Sequence, residues 1–99
     1  MSNQEVLSPE EFYRTDDMAL ATFLKMQGHT PQTLRWENRT CYWYFDRSES
    51  LLGMADMFID GLANVEPKEY SRVFALTKTE FHKVLDENRP PGERQYGRR

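Results

Sequence analysis

The sequence has little of several features that would identify a function directly. It contains a single cysteine, Cys41, so it forms no internal disulfide bond and offers no set of thiolates for a structural zinc site. No apolar run approaches the roughly 20 residues that a membrane-spanning helix needs. The start, MSNQEVLSPEEF, lacks the basic and apolar segments of a signal peptide. We therefore expect a cytoplasmic protein without a membrane association.

Size and composition predict one small globular domain. The chain has 99 residues, of which 38% are hydrophobic, 29% charged and 13% aromatic, and it carries a net charge of −3. The tail RPPGERQYGRR holds four arginines against one glutamate, a charge of +3, which leaves −6 on residues 1–88. Such an acidic body argues against a sequence-independent grip on a phosphate backbone. The tail either only keeps the protein soluble or attracts nucleic acid or an acidic protein through its positive charge.

The first helix is predicted within TDDMALATFLKMQGH. Thr15 is the expected N-cap, and Asp16 and Asp17 follow where the helix dipole favours carboxylates. Gly28 is the expected left-handed stop, and Pro31 prevents continuation of the helix.

Residues 32–37 and 40–45 predict a β-hairpin that turns at Asn38-Arg39. Because side chains alternate along a strand, a two-residue loop separates the two faces cleanly, whereas a three-residue loop would place the tyrosines inside. The expected pairs are Leu34 with Trp43, Trp36 with Cys41 and Gln32 with Phe45 on the inner face, and Arg35 with Tyr42 and Thr33 with Tyr44 on the outer face.

Two further helices are predicted after the hairpin. Ser48 or Asp46 is expected to cap the second helix, which Gly61 weakens or ends, and Pro67 lies in the first turn of the third. The expected buried side of the second helix comprises Leu51, Leu52, Ala55, Phe58, Ile59 and Leu62. The predicted fold is α+β, a two-stranded antiparallel hairpin packed on three helices in the order α-β-β-α-α. The expected divisions are an irregular arm (1–14), a single globular domain (15–88) and a flexible basic tail (89–99).

Three segments stand out together: DDMALATFLKMQGH, the YWYF strand with the polar turn and helix after it, and DGLANVEPKEY. With them, the stretch from about residue 13 to residue 85 resembles a domain-of-unknown-function family of small bacterial and phage proteins. The matching positions are Asp17, Ala21, Leu24, Gly28, His29, Phe45, Gly61, Val65, Pro67 and Tyr70. The resemblance implies a bacterial, phage or mobile-element setting. It implies no activity, cofactor or catalytic residue.

Catalytic and metal sites find little support among the residues. Cys41 with His29 or His82 could in principle form a catalytic dyad, but the hairpin register turns Cys41 inward, where burial raises the pKa of a thiol. The two histidines are not part of an HxxxH pair, and no CxxC occurs. We therefore expect no enzyme activity, no cofactor and no bound metal.

Two surfaces are candidates for binding a partner protein. The outer hairpin face presents Arg35, Tyr42 and Tyr44, residue types that are enriched at interaction hot spots, with Arg35 expected over the Tyr42 ring. The alternative is that these tyrosines pack under the N-terminal arm through Phe12 or Val6. Asp56 and Asp60 form a second, acidic candidate on the second helix. The alternative is that they lie on a solvated helix face that binds no partner.

The function that this sequence favours is non-enzymatic binding to a partner protein. A phage or mobile-element protein of this kind could inhibit a host defence enzyme, and the open edges of the hairpin could pair with a second copy to give a homodimer. The alternative is nucleic-acid binding through the Tyr/Arg face and the tail residues Arg94, Arg98 and Arg99.

Overall fold

The computed structural model describes residues 7–89, which form an α+β fold of three helices and one antiparallel sheet. The elements in chain order are β1 (Phe12–Thr15), α1 (Met18–Met26), β2 (Pro31–Glu37), β3 (Thr40–Asp46), α2 (Glu49–Ile59) and α3 (Pro67–Asn88). The expectations for Val6 and for the tail residues Arg94, Arg98 and Arg99 lie outside the described residues.

The sheet has three strands where the sequence predicted two. Its strand order is β1-β3-β2, so β3 is the central strand. Residues 12–14 were expected to be irregular and Thr15 to cap a helix, but Phe12–Thr15 pair with β3 from Asp46 back to Trp43. The physical reason is that β3 would otherwise leave one edge of backbone hydrogen-bonding groups unpaired.

The hairpin register is confirmed over most of its length. Leu34 faces Trp43, and Arg35 faces Tyr42, around a turn in which Asn38 has φ 53° and Arg39 has φ 65°. The expected pairing of Gln32 with Phe45 is wrong, because an irregularity between residues 31 and 33 places Pro31 opposite Phe45. The Gln32 amide instead donates to Asp46 Oδ2 at 2.9 Å.

Local chemistry sets the helix ends. Asp17, not Thr15, caps α1 by accepting the N–H groups of Ala19 and Leu20, while Thr15 Oγ1 accepts the N–H of Asp17. Thr15 is not the cap because the helix begins only at Met18, and the cap is the residue directly before it. Ser48 caps α2, as one of the two expected alternatives, and Pro67 opens α3. Gly28 stops α1 with φ 96°.

The core lies between the inner face of the sheet and the helices. Trp43 and Phe45 of β3 are fully buried in one core cluster with α1, whose residues 20–24 are all buried, and with Leu51 and Ala55 of α2. The Trp43 ring stacks on Phe81 of α3 at 6.3 Å. Lys25 of α1 is tied to α3 by hydrogen bonds to Glu80 at 2.6 Å and Thr77 at 3.1 Å. The tryptophan is therefore inside, as the hairpin register predicted.

Two residues expected on the buried side of α2 are exposed. Ile59 is 64% exposed and Leu62 is 66% exposed, because the helix ends at Ile59 and the chain turns at Gly61, which has φ 77°. The apolar side that does face the core consists of buried Leu51 and Ala55 with half-buried Leu52, Met54 and Phe58.

Candidate functional site

The side of the sheet that faces away from the helices carries a polar and aromatic surface, which we call the outer sheet face. Side chains alternate along strands, so the register assigns to it Phe12 and Arg14 of β1, Thr33, Arg35 and Glu37 of β2, and Tyr42 and Tyr44 of β3. Arg14 lies directly opposite Tyr44, and Arg35 lies directly opposite Tyr42. All three strands therefore contribute to one surface.

The carboxylate of Glu37 is the centre of a hydrogen-bonded network on this face. The Tyr44 hydroxyl lies 2.9 Å from both Glu37 carboxylate oxygens and donates to them. Arg14 Nη1 donates to Glu37 Oε1 at 2.8 Å, and Arg35 Nη1 lies 3.8 Å from Oε2. A carboxylate between two guanidinium groups fixes the positions of both, which pre-organises the surface.

Tyr44 is covered rather than available. The residue is only 5% exposed, and the Phe12 ring stands edge-on to it with 6.3 Å between centroids. Of the two alternatives for Tyr44, packing under the N-terminal segment through Phe12 is the one observed. A hydrogen bond with the Tyr44 hydroxyl at 3.4 Å raises the pKa of Arg14, which keeps this guanidinium charged.

Each arginine of the outer sheet face lies over the tyrosine diagonal to it. The guanidinium carbon of Arg14 is 4.1 Å from the Tyr42 ring centroid, and that of Arg35 is 5.9 Å from the Tyr44 ring. The expected stacking of Arg35 on Tyr42 is thus replaced by Arg14 on Tyr42, because long side chains lean along the strand and reach diagonal neighbours. Tyr42 is half-buried, with the Arg14 guanidinium over its ring.

Arg14 and Glu37 are the residues of the outer sheet face that sequence reasoning missed. Arg14 was missed because β1 was not recognised as a strand. Glu37 alternates with Thr33 and Arg35 in a run already predicted as a strand, and that alternation was sufficient to place it on the outer sheet face. At the β1 end of this face lies an open cavity of about 440 Å³ lined by Leu7, Pro9, Phe12, Tyr13, Arg14, Tyr44 and Arg47.

A family model for a domain of unknown function (DUF5659) matches residues 10–84. The chain belongs to the DUF5659 family. The match begins just before β1 and ends within α3, so it contains every strand of the DUF5659 domain and the whole outer sheet face. No curated protein and no solved structure matches the chain. Within residues 7–89, no helix is both long and apolar enough to cross a membrane.

Cys41 of the DUF5659 domain is poorly suited to act as a nucleophile. The side chain is 2% exposed, and burial, with a contribution from the negative charge of Glu80, raises the pKa of the thiol to about 11. At neutral pH the thiolate is therefore scarce. The backbone N–H of His29 donates to Leu24 O at 3.0 Å at the end of α1, and His82 is exposed beside Phe81.

No metal centre is formed by the part of the chain that the structure describes. Residues 7–89 contain no group of three or more His, Cys, Asp or Glu side chains placed to hold a metal ion. The acidic candidates Asp56 and Asp60 are both exposed; Asp56 lies in the last turn of α2, and Asp60 is its C-cap. Burial raises the pKa of Tyr13, and the nearby charge of Asp56 adds to this shift. Asp56 and Asp60 therefore form an acidic surface separate from the outer sheet face.

Proposed function

We propose that this protein is a non-enzymatic binding protein whose outer sheet face docks on a partner protein. The observation that carries the proposal is the pair of arginines held over tyrosine rings, Arg14 over Tyr42 and Arg35 over Tyr44, with Glu37 fixing both. Arginine and tyrosine contribute large contact areas and several hydrogen bonds while losing little freedom on binding, as interaction hot spots require.

The charge of the molecule favours a protein partner over a nucleic acid. Residues 7–89 contain fourteen Asp and Glu against ten Lys and Arg, so the folded body is acidic. On the outer sheet face, one carboxylate lies between the two guanidinium groups. Such mixed charge suits a protein surface with both signs, because a phosphate backbone would be repelled by the carboxylate and by the acidic body.

Affinity capture with matched variants tests the proposal. Arg14→Ala and Tyr42→Ala change the outer sheet face, whereas Arg72→Ala and Tyr70→Ala remove the same residue types from α3. Arg72 is a fair control because it is also paired with a glutamate, Glu69, at 2.6 Å. We expect a partner captured by the unchanged protein to be reduced at least tenfold with the outer-face variants and retained with the α3 variants.

Retention of that partner by Arg14→Ala and Tyr42→Ala would contradict the proposal, provided that circular dichroism shows all four variants to be folded. If the outer sheet face occupies an active site or binding groove of the partner, it inhibits that partner. We include in the proposal that the protein comes from a phage or mobile element and that its partner is a host defence enzyme. Because β2 is an edge strand, pairing with a second copy is a further mode that size measurements would detect.

Nucleic-acid binding is the second candidate, favoured by the guanidinium groups over aromatic rings, which resemble platforms on which bases stack. Fluorescence anisotropy with a single-stranded oligonucleotide separates the two candidates. Nucleic-acid binding predicts an affinity that falls steeply with salt and that is lost when residues 89–99, with Arg94, Arg98 and Arg99, are deleted. A protein interface on the outer sheet face survives that deletion.

A further inference from the structure

A second surface, at the end of α2, contains most of the exposed large apolar side chains of the described residues. Residues 7–89 expose five large apolar side chains, and four of them fall between residues 57 and 65. They are Met57 (39% exposed), Ile59 (64%), Leu62 (66%) and Val65 (37%). Together with Asp56 and Asp60, we call these residues the α2 corner. Grouped exposed apolar side chains with a polar rim are typical of interaction sites.

The turn that ends α2 holds the apolar residues together. The N–H of Leu62 donates to Met57 O at 2.8 Å, and the N–H of Gly61 donates to Phe58 O at 3.1 Å. These are the two hydrogen bonds of a Schellman motif, with Gly61 in the left-handed conformation that it requires. The motif brings Leu62 back beside Met57, and Ile59 lies in the same last turn of the helix. Backbone hydrogen bonds therefore hold the apolar residues of the α2 corner in position.

The acidic part of the α2 corner is electrostatically unfavourable in the isolated molecule. Asp56 and Asp60 are four residues apart, so their like charges repel. Both lie at the C-terminal end of α2, where the helix dipole is negative, and the last turn contains no basic residue. Residues 48–67 as a whole contain four acidic residues and no lysine or arginine. A cation supplied from outside would relieve both effects.

We propose that the α2 corner binds a basic, aliphatic segment of a partner protein. In this complex a lysine or arginine lies against Asp56 and Asp60, and aliphatic side chains cover Ile59 and Leu62. The proposal goes beyond the outer sheet face, since it uses different residues and the opposite charge. Binding at the α2 corner requires both charge complementarity and apolar contact, so a segment that is only cationic would not satisfy it.

The basic tail of the same chain does not fit this description. α3 spans 22 residues, a length of about 33 Å, and carries the chain away from the α2 corner before the tail begins. The tail RPPGERQYGRR contains no leucine, isoleucine, valine, methionine or phenylalanine, so it cannot supply the aliphatic contact.

A defined peptide probe tests the proposal on the full chain labelled with ¹⁵N. The probe is a synthetic peptide of about two heptads with leucine on one helical face and lysine on the other; a second peptide has glutamate in place of each lysine. We expect the leucine–lysine peptide to shift the amide resonances of residues 53–66, and the leucine–glutamate peptide to leave them unchanged. Added salt should weaken the binding without abolishing it, because the apolar contact is not screened.

Paired variants show whether both parts of the α2 corner are used. Ile59→Ser with Leu62→Ser, and separately Asp56→Asn with Asp60→Asn, should each weaken peptide binding at least tenfold. The controls Leu76→Ser and Glu10→Gln with Glu11→Gln change an exposed apolar residue and an exposed acidic pair elsewhere, and should leave the affinity unchanged. The changed side chains are exposed, so we expect every variant to fold.

Four results would overturn the proposal: equal binding of the leucine–glutamate peptide, resonance shifts confined to residues outside 53–66, unchanged affinity in either pair of α2-corner variants, or a dilution series that shows the corner covered by a second copy. Arg14→Ala should bind the peptide normally. The two proposals therefore fail separately. Absence of peptide binding by the unchanged protein counts against this inference, whereas retained partner capture by Arg14→Ala counts against the proposed function.

Discussion

Tyr44 lies on the predicted face of its strand but in unexpected surroundings. The hairpin register placed it on the outer side, and it is there, opposite Thr33 and Arg14. It is nevertheless buried, because Phe12 covers its ring and Glu37 accepts its hydroxyl. Tyr44 therefore supports the outer sheet face from below, and the accessible contacts are left to Arg14, Arg35 and Tyr42.

Removing the Tyr44 hydroxyl should destabilise the fold. Tyr44→Phe leaves the Glu37 carboxylate without its phenol donor, and a hydrogen bond to a charged group contributes about 1–2 kcal/mol when partly buried. We expect urea denaturation to show a loss of that size in the free energy of unfolding. Tyr42→Phe is the control, because the Tyr42 hydroxyl makes no hydrogen bond within residues 7–89, and its loss should be less than about 0.5 kcal/mol. Equal losses in the two variants would show that the Tyr44–Glu37 bond contributes little.

At the scale of single elements, the hairpin turn contains a strained residue. Asn38 and Arg39 both have positive φ, the conformation of the tightest hairpin turns, but of these two residue types only Asn tolerates it well. Arg39→Gly should raise the free energy of unfolding by about 0.5–1 kcal/mol, since relief of the left-handed strain exceeds the added chain entropy. Gly61→Ala reverses the change at another left-handed position, with φ 77°, and should lower stability by about 1 kcal/mol. Thermal or urea unfolding of both variants checks the two signs, and a destabilised Arg39→Gly would contradict this explanation.

The elements predicted correctly are those whose signals are local. The turn at Asn38-Arg39, the stop at Gly28 and the proline start of α3 each depend on residues adjacent in sequence. β1 was missed because a four-residue strand has too short a pattern, and it forms only through pairing with distant β3. Leu62 was expected on the buried side because helical periodicity was continued past Gly61, beyond the end of α2, whereas Ile59 is the last residue of the helix and is left uncovered there. The four consecutive aromatics of β3 indicate cover on both faces, and the N-terminal arm was expected as one alternative for that cover, but not as a strand.

The residues of the candidate site also divide into those that local sequence signals predict and those that depend on distant parts of the chain. Arg35, Tyr42 and Tyr44 were predicted because alternation within the hairpin places them on one face. Arg14 could not be placed without β1, and the diagonal stacking of the arginines depends on side-chain conformations that strand pairing alone does not fix. Whether Asp56 and Asp60 contact a partner stays a prediction.

Across the whole molecule, ionisable groups on separate elements resist losing their protons. Burial raises the pKa of Cys41 on β3 to about 11, and burial likewise raises the pKa values of Tyr13 on β1 and Tyr70 on α3. All three groups are neutral when protonated. The folded state therefore favours the neutral forms more strongly than the unfolded chain does.

This shared direction predicts that the protein loses stability in mild alkali. In the unfolded chain the Cys41 thiol loses its proton near its ordinary pKa of 9.0, whereas in the fold it keeps the proton until about pH 11. The unfolded state then binds fewer protons than the folded state, so the free energy of unfolding falls as the pH rises from about 9 towards 11. Urea denaturation at a series of pH values from about 7 to 10 should show a plateau followed by this decline.

Cys41→Ala is the matched variant. Its stability is lower at every pH, because loss of the buried side chain leaves a small void. Its free energy of unfolding should nevertheless fall less steeply between about pH 9 and 10, before the tyrosines contribute fully. A decline of equal slope in Cys41→Ala would assign the alkaline sensitivity to other groups, and stability that rises over this interval would contradict the buried, neutral thiol.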